Sequence, residues 1–213
     1  MIVLEIEDIK KIVEIVGYKD FFLNLIKTLE EDFASWKHFN KCPRLAEHVE
    51  GGVIELMPIS NEELYSFKYV NGHPKNPLKN KLTVMATGQL SLVNTGEPLL
   101  FSEMTLLTAF RTASTSALAA SYLANKESTI LCFIGTGAQS EFQYLAFSYI
   151  FDIKEIRYYD IDPKAMRKFE KNISLFNVQL TPCKNAREAV LNADIITTMT
   201  ADKRNQTIIT KDM

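Results

Sequence analysis

The chain has 213 residues, of which 46% are apolar and 23% are charged, and its formal net charge at pH 7 is -2. This composition is typical of a globular protein with one large core or two modest domains, and the near-neutral charge gives no reason to expect nucleic acid or an anionic membrane as a partner. The N-terminus shows no basic segment followed by an apolar run, and no apolar stretch is long enough to cross a bilayer, so we expect neither a signal peptide nor a transmembrane helix. Three widely spaced cysteines form no metal-ligand pattern, which favours a reduced compartment, and we expect a cytoplasmic protein without a metal.

The first part of the chain predicts two amphipathic helices. Asp8–Val16 carries an apolar stripe, with Asp8 as the predicted N-cap and Gly17 as the residue that stops the helix. Lys19–Lys37 follows with apolar side chains at helical spacing.

The apolar pattern then changes to a period of two, which predicts strands. The predicted strands are Arg44–Val49, Gly52–Met57, Leu64–Val70, Leu82–Val93 and Leu99–Phe101. Residues 71–77 are dense in turn formers and predict a loop. A long helix rich in small side chains is predicted over Glu103–Leu123.

From Thr129 onward, predicted strands alternate with predicted helices. The strands are Ile130–Ile134, Glu155–Tyr159, Val178–Leu180 and Asp194–Thr198, and the helices are Ala138–Ile150, Pro163–Phe176 and Asn185–Leu191. This alternation indicates parallel strands joined by crossover helices. We therefore predict an α/β protein, with an N-terminal α+β domain at 1–125 and a Rossmann domain with a parallel sheet at 126–213.

An apolar strand runs directly into a glycine-rich turn and then into a helix. Gly135 permits a tight turn, and Gly137 lets the backbone approach a diphosphate at the positive end of the helix, where Ala138 and Gln139 follow. Ser140 replaces the third glycine of the dinucleotide-binding pattern and is small enough for close packing of helix on strand. A structural turn that binds no phosphate is the alternative, but the order of strand, turn and helix favours a dinucleotide.

Asp160 follows the next strand at the interval expected of a ribose-binding carboxylate. A carboxylate there accepts hydrogen bonds from both ribose hydroxyls and repels the 2′-phosphate of NADP. Ile161 comes next, so no adjacent arginine accommodates that phosphate, and the sequence predicts NAD as the cofactor. Asp162 precedes Pro163 at a helix start and is interpreted as an N-cap.

Three threonines close a later strand at the cofactor edge of such a sheet. They either line the nicotinamide side or are ordinary β-branched strand residues: Thr197, Thr198 and Thr200.

Several charged side chains lie in apolar surroundings. Lys68 is flanked by aromatic residues and either has an anionic partner or a lowered pKa, or is a solvated lysine on the outer face of a strand. Arg111 shares a helical stripe with leucines and either meets a carboxylate or phosphate, or forms an internal ion pair with Glu103 or Glu141. Two further charges are, from the pattern alone, typical of a solvated surface: Arg44 and Glu55.

Four blocks of sequence resemble the bacterial ornithine cyclodeaminases, which belong to the ornithine cyclodeaminase/μ-crystallin family. The blocks are Lys68–Pro77, Ser102–Ser116, Gly135–Gln143 and Tyr159–Pro163. The resemblance covers the chain almost from end to end. It implies a substrate-binding domain whose sheet also builds a homodimer, followed by an NAD-binding Rossmann domain.

The resemblance also implies roles for individual residues. Arg44, Lys68 and Arg111 match a cationic clamp on the substrate α-carboxylate, and Glu55 matches an acid that faces the distal amine of the substrate. The positions that match cofactor-binding residues are Thr83, Arg111, Gly137, Ala138, Gln139, Ser140 and Asp160. The turn and strand patterns described above add Gly135 and Thr198 to the candidate cofactor-binding residues.

The implied reaction converts L-ornithine to L-proline and ammonia, a step of L-proline biosynthesis, without net oxidation. Hydride leaves Cα for NAD+, the δ-amine attacks the resulting iminium, ammonia departs, and the cyclic imine takes the hydride back. Lys68 is a candidate for proton transfer to or from the substrate amine.

Members of the family continue well past the position of Met213, and the aspartate that they use as proton acceptor at ring closure lies in that later segment. We therefore expect this chain alone to turn over ornithine poorly. Two alternatives stay open: a non-catalytic NAD-binding protein, and an amino-acid dehydrogenase or ketimine reductase of the same family.

Overall fold

The computed structural model describes residues 1–201, 207–211 and 213. The chain forms two compact units, Met1–Arg111 and Thr112–Met213, and the division falls inside helix α3 (Thr105–Leu123). The domain boundary at 125/126 lies just beyond the C-terminal end of that helix and stays a prediction. The predicted α/β class is confirmed.

The first unit is built on a mixed sheet in the order β1-β7-β6-β5-β4-β2, with β3 paired to β4. All pairs are antiparallel except β1 with β7. Its elements are β1 (Ile2–Leu4), α1 (Ile6–Val16), α2 (Tyr18–Ala34), β2 (Asn40–Lys41), β3 (Leu45–Val49), β4 (Gly52–Ser60), β5 (Leu64–Gly72), β6 (Ala86–Leu92) and β7 (Pro98–Glu103), with short 3-10 turns at Trp36–His38 and Asn76–Lys79.

Helix α1 begins one turn earlier than its apolar stripe predicts. Glu5 is the N-cap, and Asp8 is the third residue of the helix, where its carboxylate accepts the backbone N–H of Glu5 at 2.9 Å. The prediction of Asp8 as N-cap was therefore wrong, because this capping box uses acidic side chains at both of its ends. Strands β1 and β2 were also not predicted.

The N-terminal part of α3 packs on α2 through aromatic rings. The ring centroids of Phe21 and Phe22 lie 5.0 and 5.1 Å from that of Phe110, each in an edge-to-face arrangement. Phe22 and Phe110 are fully buried. This contact holds the first turns of α3 in the first unit.

The second unit is a parallel sheet in the order β10-β9-β8-β11 with connecting helices, as predicted. Its elements are β8 (Ile130–Ile134), α4 (Ser140–Ser148), β9 (Glu155–Tyr159), α5 (Pro163–Ile173), β10 (Gln179–Pro182), α6 (Ala186–Val190) and β11 (Ile195–Thr198). Apolar side chains from strands and helices form its core: Leu131, Phe133, Ile156, Tyr158, Phe169 and Ile173. Within the described ranges, every helix is too short or too polar to span a bilayer.

The order in which these strands are added to the sheet changes sides at β8. The connection from β8 leads to β9 on one side, while β11 pairs with β8 on the other side. In open α/β sheets, ligands bind outside the carboxyl ends of the strands at such a reversal. The turn that follows β8 therefore lies where this fold class binds its ligands.

Candidate functional site

The turn after β8 needs a glycine at its first position. Gly135 has φ +97°, and a Cβ added to it would lie 3.0 Å from the carbonyl carbon of Met199. Its N–H donates to the carbonyl of Tyr159 at 2.8 Å, and the N–H of Met199 donates to the carbonyl of Ile134 at 2.8 Å. The backbone after β11 thus closes against the turn, and any side chain at Gly135 would push it away.

We expect Gly135→Ala to lower the free energy of unfolding by about 1 to 3 kcal/mol, because the substitution combines an unfavourable φ with a clash against backbone atoms. Gly137→Ala is the matched control. A Cβ at Gly137 would meet no atom within 4 Å, so we expect a change below about 0.5 kcal/mol. Urea denaturation of both variants measures the difference, and equal losses would contradict this account of the turn.

Asp160 holds the same turn from the end of β9. Its Oδ2 accepts the backbone N–H of Thr136 at 2.6 Å and the hydroxyl of Thr136 at 3.2 Å, and its Oδ1 accepts the N–H of Asp162 at 2.9 Å. Thr136 is fully buried. The carboxylate is therefore fixed beside the turn, at the position predicted for a ribose-binding group. Asp162 caps α5 by accepting the N–H of Lys164 at 2.8 Å, as predicted.

Several polar atoms of the turn have no partner in the part of the chain that the structure describes. No partner for the backbone N–H of Gly137, Ala138 or Gln139 occurs among the residues that the structure describes. The Oε1 atom of Gln139 is buried and has no partner there either. Gly137 and Ala138 are exposed. Free amides next to the N-terminus of a helix can hold a phosphate or diphosphate, so these residues fit a dinucleotide.

Two other predicted cofactor residues have different surroundings. Thr198 ends β11, pairs with Ile134 and is exposed, so it lies at the same sheet edge as the glycine turn. Thr83 belongs to the first unit, where it is half-buried and its carbonyl accepts the N–H of His73 at 2.8 Å.

In the first unit, two of the predicted substrate residues, Glu55 and Lys68, share one face of the sheet. Lys68 on β5 lies opposite Met57 on β4, and Glu55 lies two residues from Met57 on the same strand. Since side chains alternate along a strand, Glu55 and Lys68 point to the same face. The Nη1 of Arg44 lies 2.8 Å from Oε1 of Glu55, whose side chain is only 20% exposed.

Lys68 is half-buried and its ammonium group donates to the hydroxyl of Thr108 at 3.4 Å. Burial lowers the pKa of Lys68, Arg111 and Arg44 lower it further, and Glu55 opposes them. The structure therefore brings three cations and one carboxylate into a single cluster. A cluster with this excess of positive charge can bind a carboxylate.

Glu103 and Glu141, the two acids that the sequence offers as ion-pair partners for Arg111, also make contacts of their own. The carboxylate of Glu103 accepts the backbone N–H groups of Thr105 and Leu106 and so caps α3. Glu141 pairs with Lys168 on α5 at 2.7 Å.

Sequence reasoning missed three contributors to these sites. Thr108 lies one helical turn before Arg111, and that spacing alone could have placed both on one face of α3. Thr136 and Lys168 carry no local signal, because each acts on a residue that is distant in the sequence.

Comparisons with known proteins identify the family of the chain. The model of the Ornithine cyclodeaminase/mu-crystallin family matches residues 6–213. The chain belongs to this family. The resemblance inferred from the sequence is thus confirmed.

An ornithine cyclodeaminase of Agrobacterium fabrum is 51% identical to this chain over 210 residues, which cover 99% of this chain and 59% of that protein. Among solved structures, a lysine cyclodeaminase described as recognising L-lysine, L-ornithine and L-2,4-diaminobutyric acid has a TM-score of 0.92 at 26% identity, with 99% of this chain and 64% of that chain covered. The Δ1-pyrroline-2-carboxylate reductase of Thermococcus litoralis, in complex with NADH and L-proline, has a TM-score of 0.82 at 30% identity, with 93% and 61% covered. The chain thus spans about three-fifths of the length of these relatives.

Proposed function

We propose that these 213 residues supply the substrate clamp and the dinucleotide-binding turn of an NAD-dependent ornithine cyclodeaminase, which converts L-ornithine to L-proline and ammonia. The observation that carries the proposal is the cluster of Arg44, Glu55 and Lys68 on one sheet face. Its charges match those of a diamino acid, in a chain that is 51% identical to an ornithine cyclodeaminase. The predicted homodimer is part of the same proposal, and light scattering tests it.

NAD would supply a hydride acceptor that later returns the hydride, so that the reaction has no net redox change. The amides of Gly137, Ala138 and Gln139 would hold its diphosphate, and Asp160 would hold its adenosine ribose. Gly135 and Ser140 would shape the turn around them. The resemblance adds Thr83 and Arg111 to this set, and the place of Thr198 at the end of β11 adds Thr198.

When the substrate binds, Arg44 and Glu55 would give up their ion pair, and each would pair with a charged group of the substrate instead. Its α-carboxylate would be bound by Arg44, Lys68 and Arg111, while its δ-ammonium would be bound by Glu55. Because the ligand presents a carboxylate at one end and the δ-ammonium at the other, both members of the pair keep an opposite charge after the exchange. The lowered pKa of Lys68 makes this ammonium a better proton donor than an ordinary lysine, which suits proton transfer with the substrate amine.

We expect Glu55→Gln to weaken the binding of L-ornithine about tenfold or more, because the δ-ammonium loses its charged partner. The affinity for L-norvaline, which has the same carbon chain without the δ-amine, should be unchanged or improved, because Arg44 no longer pairs with Glu55. Calorimetric titration of the purified chain with both amino acids measures the split.

Glu47→Gln is the matched control for this experiment. Glu47 lies on the adjacent strand β3 opposite Ile54, so its side chain points to the other face of the sheet, and it is exposed. The control should leave both affinities unchanged. Equal losses of ornithine and norvaline in Glu55→Gln, or no ornithine binding by the unaltered chain, would overturn the proposed substrate.

A further inference from the structure

Three donors converge on the carbonyl oxygen of Gly137 in the glycine-rich turn. The backbone N–H and the hydroxyl of Ser140 approach it at 3.3 and 2.8 Å, and the ammonium group of Lys168 approaches it at 3.0 Å. Lys168 lies on α5, so this contact ties the turn to a helix that the glycine pattern does not include.

The ammonium of Lys168 is itself held by Glu141 in the first turn of α4. The N–O distances to its two carboxylate oxygens are 2.7 and 3.0 Å. The same carboxylate accepts from Asn172 at 2.8 Å, and it lies 3.1 Å from the hydroxyl of Ser140, whose single proton is shared between this carboxylate and the nearer carbonyl of Gly137. With the Lys168 side chain 42% exposed, such an ion pair adds little to stability by itself. The ion pair matters more for the orientation of the Gly137–Ala138 peptide in the turn than for the stability of the fold.

That effect follows from the planarity of the peptide bond. In a trans peptide, the carbonyl of one residue and the N–H of the next point in opposite directions. Because the carbonyl of Gly137 is drawn toward Lys168 and Ser140, the N–H of Ala138 is turned away from them, on the exposed side of the turn. This is one of the three amides for which no partner occurs in the described part of the chain.

We propose that the Lys168–Glu141 pair is a positioning device that fixes the Gly137–Ala138 peptide, so that the Ala138 amide is aimed at the cofactor diphosphate before binding. The inference rests on the proposed NAD site and adds to it two residues that the glycine motif does not contain. Lys168 acts through the peptide and not as a charge on the phosphate. A preorganised amide does not have to reorient when the ligand arrives, and the affinity for a diphosphate rises accordingly.

The test compares ADP-ribose, which carries the diphosphate, with adenosine, which does not. We expect Lys168→Met to raise the Kd for ADP-ribose about tenfold, as loss of one charged hydrogen bond would, and to leave the Kd for adenosine unchanged. Lys168→Arg, which can still reach both Gly137 and Glu141, should restore most of the affinity. Lys171→Met, an exposed lysine on the same helix, is the control and should change neither constant.

A fourth variant separates positioning from direct binding of the phosphate. If Lys168 neutralised the diphosphate itself, Glu141→Gln would free its ammonium, remove a nearby negative charge and tighten the binding of ADP-ribose. Positioning predicts the opposite sign, because the ammonium loses its anchor and the peptide is less well held.

Tighter binding in Glu141→Gln, unchanged binding in Lys168→Met, or an equal loss of adenosine and ADP-ribose would each overturn the inference while the proposed cofactor stands. Failure of the unaltered chain to bind ADP-ribose would overturn the proposed cofactor site, and the inference with it.

Discussion

Replacing Asp160 by asparagine should weaken the binding of NAD about 10- to 100-fold and should abolish the preference for NAD over NADP. The carboxylate has about four acceptor positions, and three of them are occupied by Thr136 and by the N–H of Asp162. Among the described residues no donor occupies the fourth position, which can therefore accept a ribose hydroxyl. The contact with the Thr136 hydroxyl, at 3.2 Å, is the longest of the three and can be exchanged for a second ribose hydroxyl.

Asparagine keeps the shape of Asp160 but offers only one carbonyl oxygen and no negative charge. The N–H of Thr136 then competes with the ribose for that oxygen, and the 2′-phosphate of NADP is no longer repelled. Calorimetric titration with NAD and NADP measures both effects. Asp162→Asn is the control, since that side chain caps α5 and should leave the affinities unchanged. Retention of full NAD affinity in Asp160→Asn would contradict the ribose assignment.

Replacing Lys68 by methionine should weaken the binding of L-ornithine about 30- to 100-fold, because a half-buried cation that faces the α-carboxylate is lost. The melting temperature of the free chain should be unchanged or higher. The reason is that methionine removes an ammonium whose charged form is disfavoured by burial and by Arg111 and Arg44. A large fall in melting temperature with intact ornithine binding in Lys68→Met would instead show that Lys68 serves the stability of the fold, and it would contradict this prediction.

The pH dependence gives a second readout of Lys68. In the free chain its pKa lies below the ordinary 10.5, first because of burial and then because of Arg111 and Arg44. A bound carboxylate favours the ammonium and raises that pKa, so binding takes up a proton. The affinity for ornithine should therefore fall as the pH rises through the interval between the two pKa values. In Lys68→Arg the guanidinium stays charged, so the contribution of residue 68 should disappear, and only the pH dependence that comes from the two amines of ornithine itself should remain.

The same pKa has the opposite effect on the stability of the free chain. The unfolded chain binds the Lys68 proton more tightly than the folded chain does, so the free energy of unfolding gains a contribution as the pH rises toward 10.5. Stability and ornithine affinity should thus change in opposite directions over the same alkaline interval.

The features that sequence reasoning predicted well are those set by local patterns. The strands Ile130–Ile134 and Glu155–Tyr159 have the predicted bounds, because an apolar run between turn formers is a local signal. The positive φ at Gly135 follows in the same way from a strand that turns sharply into a helix. These features needed no knowledge of distant residues.

The features that were missed depend on distant pairing. Ile2–Leu4 is a strand only because it pairs with 100–102, far along the chain. The predicted strand Leu82–Val93 begins instead at Ala86, because Met85 gives its N–H to the side chain of Asn71 and so leaves the regular ladder. No pattern within the segment reports such a side-chain contact.

In the candidate sites, too, the features set by local spacing were predicted and the contacts between distant residues were not. The glycine turn and Asp160 are recognisable from spacing, but the bonds from Asp160 to Thr136 that hold them together are not. The Arg44–Glu55 ion pair crosses a hairpin whose register the structure provides. The contact of Lys168 with Gly137 joins the turn to α5, and neither segment alone carries a sequence pattern that predicts it.

The most direct test of the account is a crystal structure of the chain with NAD or ADP-ribose at saturating concentration. We predict diphosphate oxygens within hydrogen-bonding distance of the backbone nitrogens of Gly137, Ala138 and Gln139, with the adenosine ribose hydroxyls on Asp160. A ligand bound elsewhere, a turn without ligand at saturation, or a ribose turned away from Asp160 would contradict it.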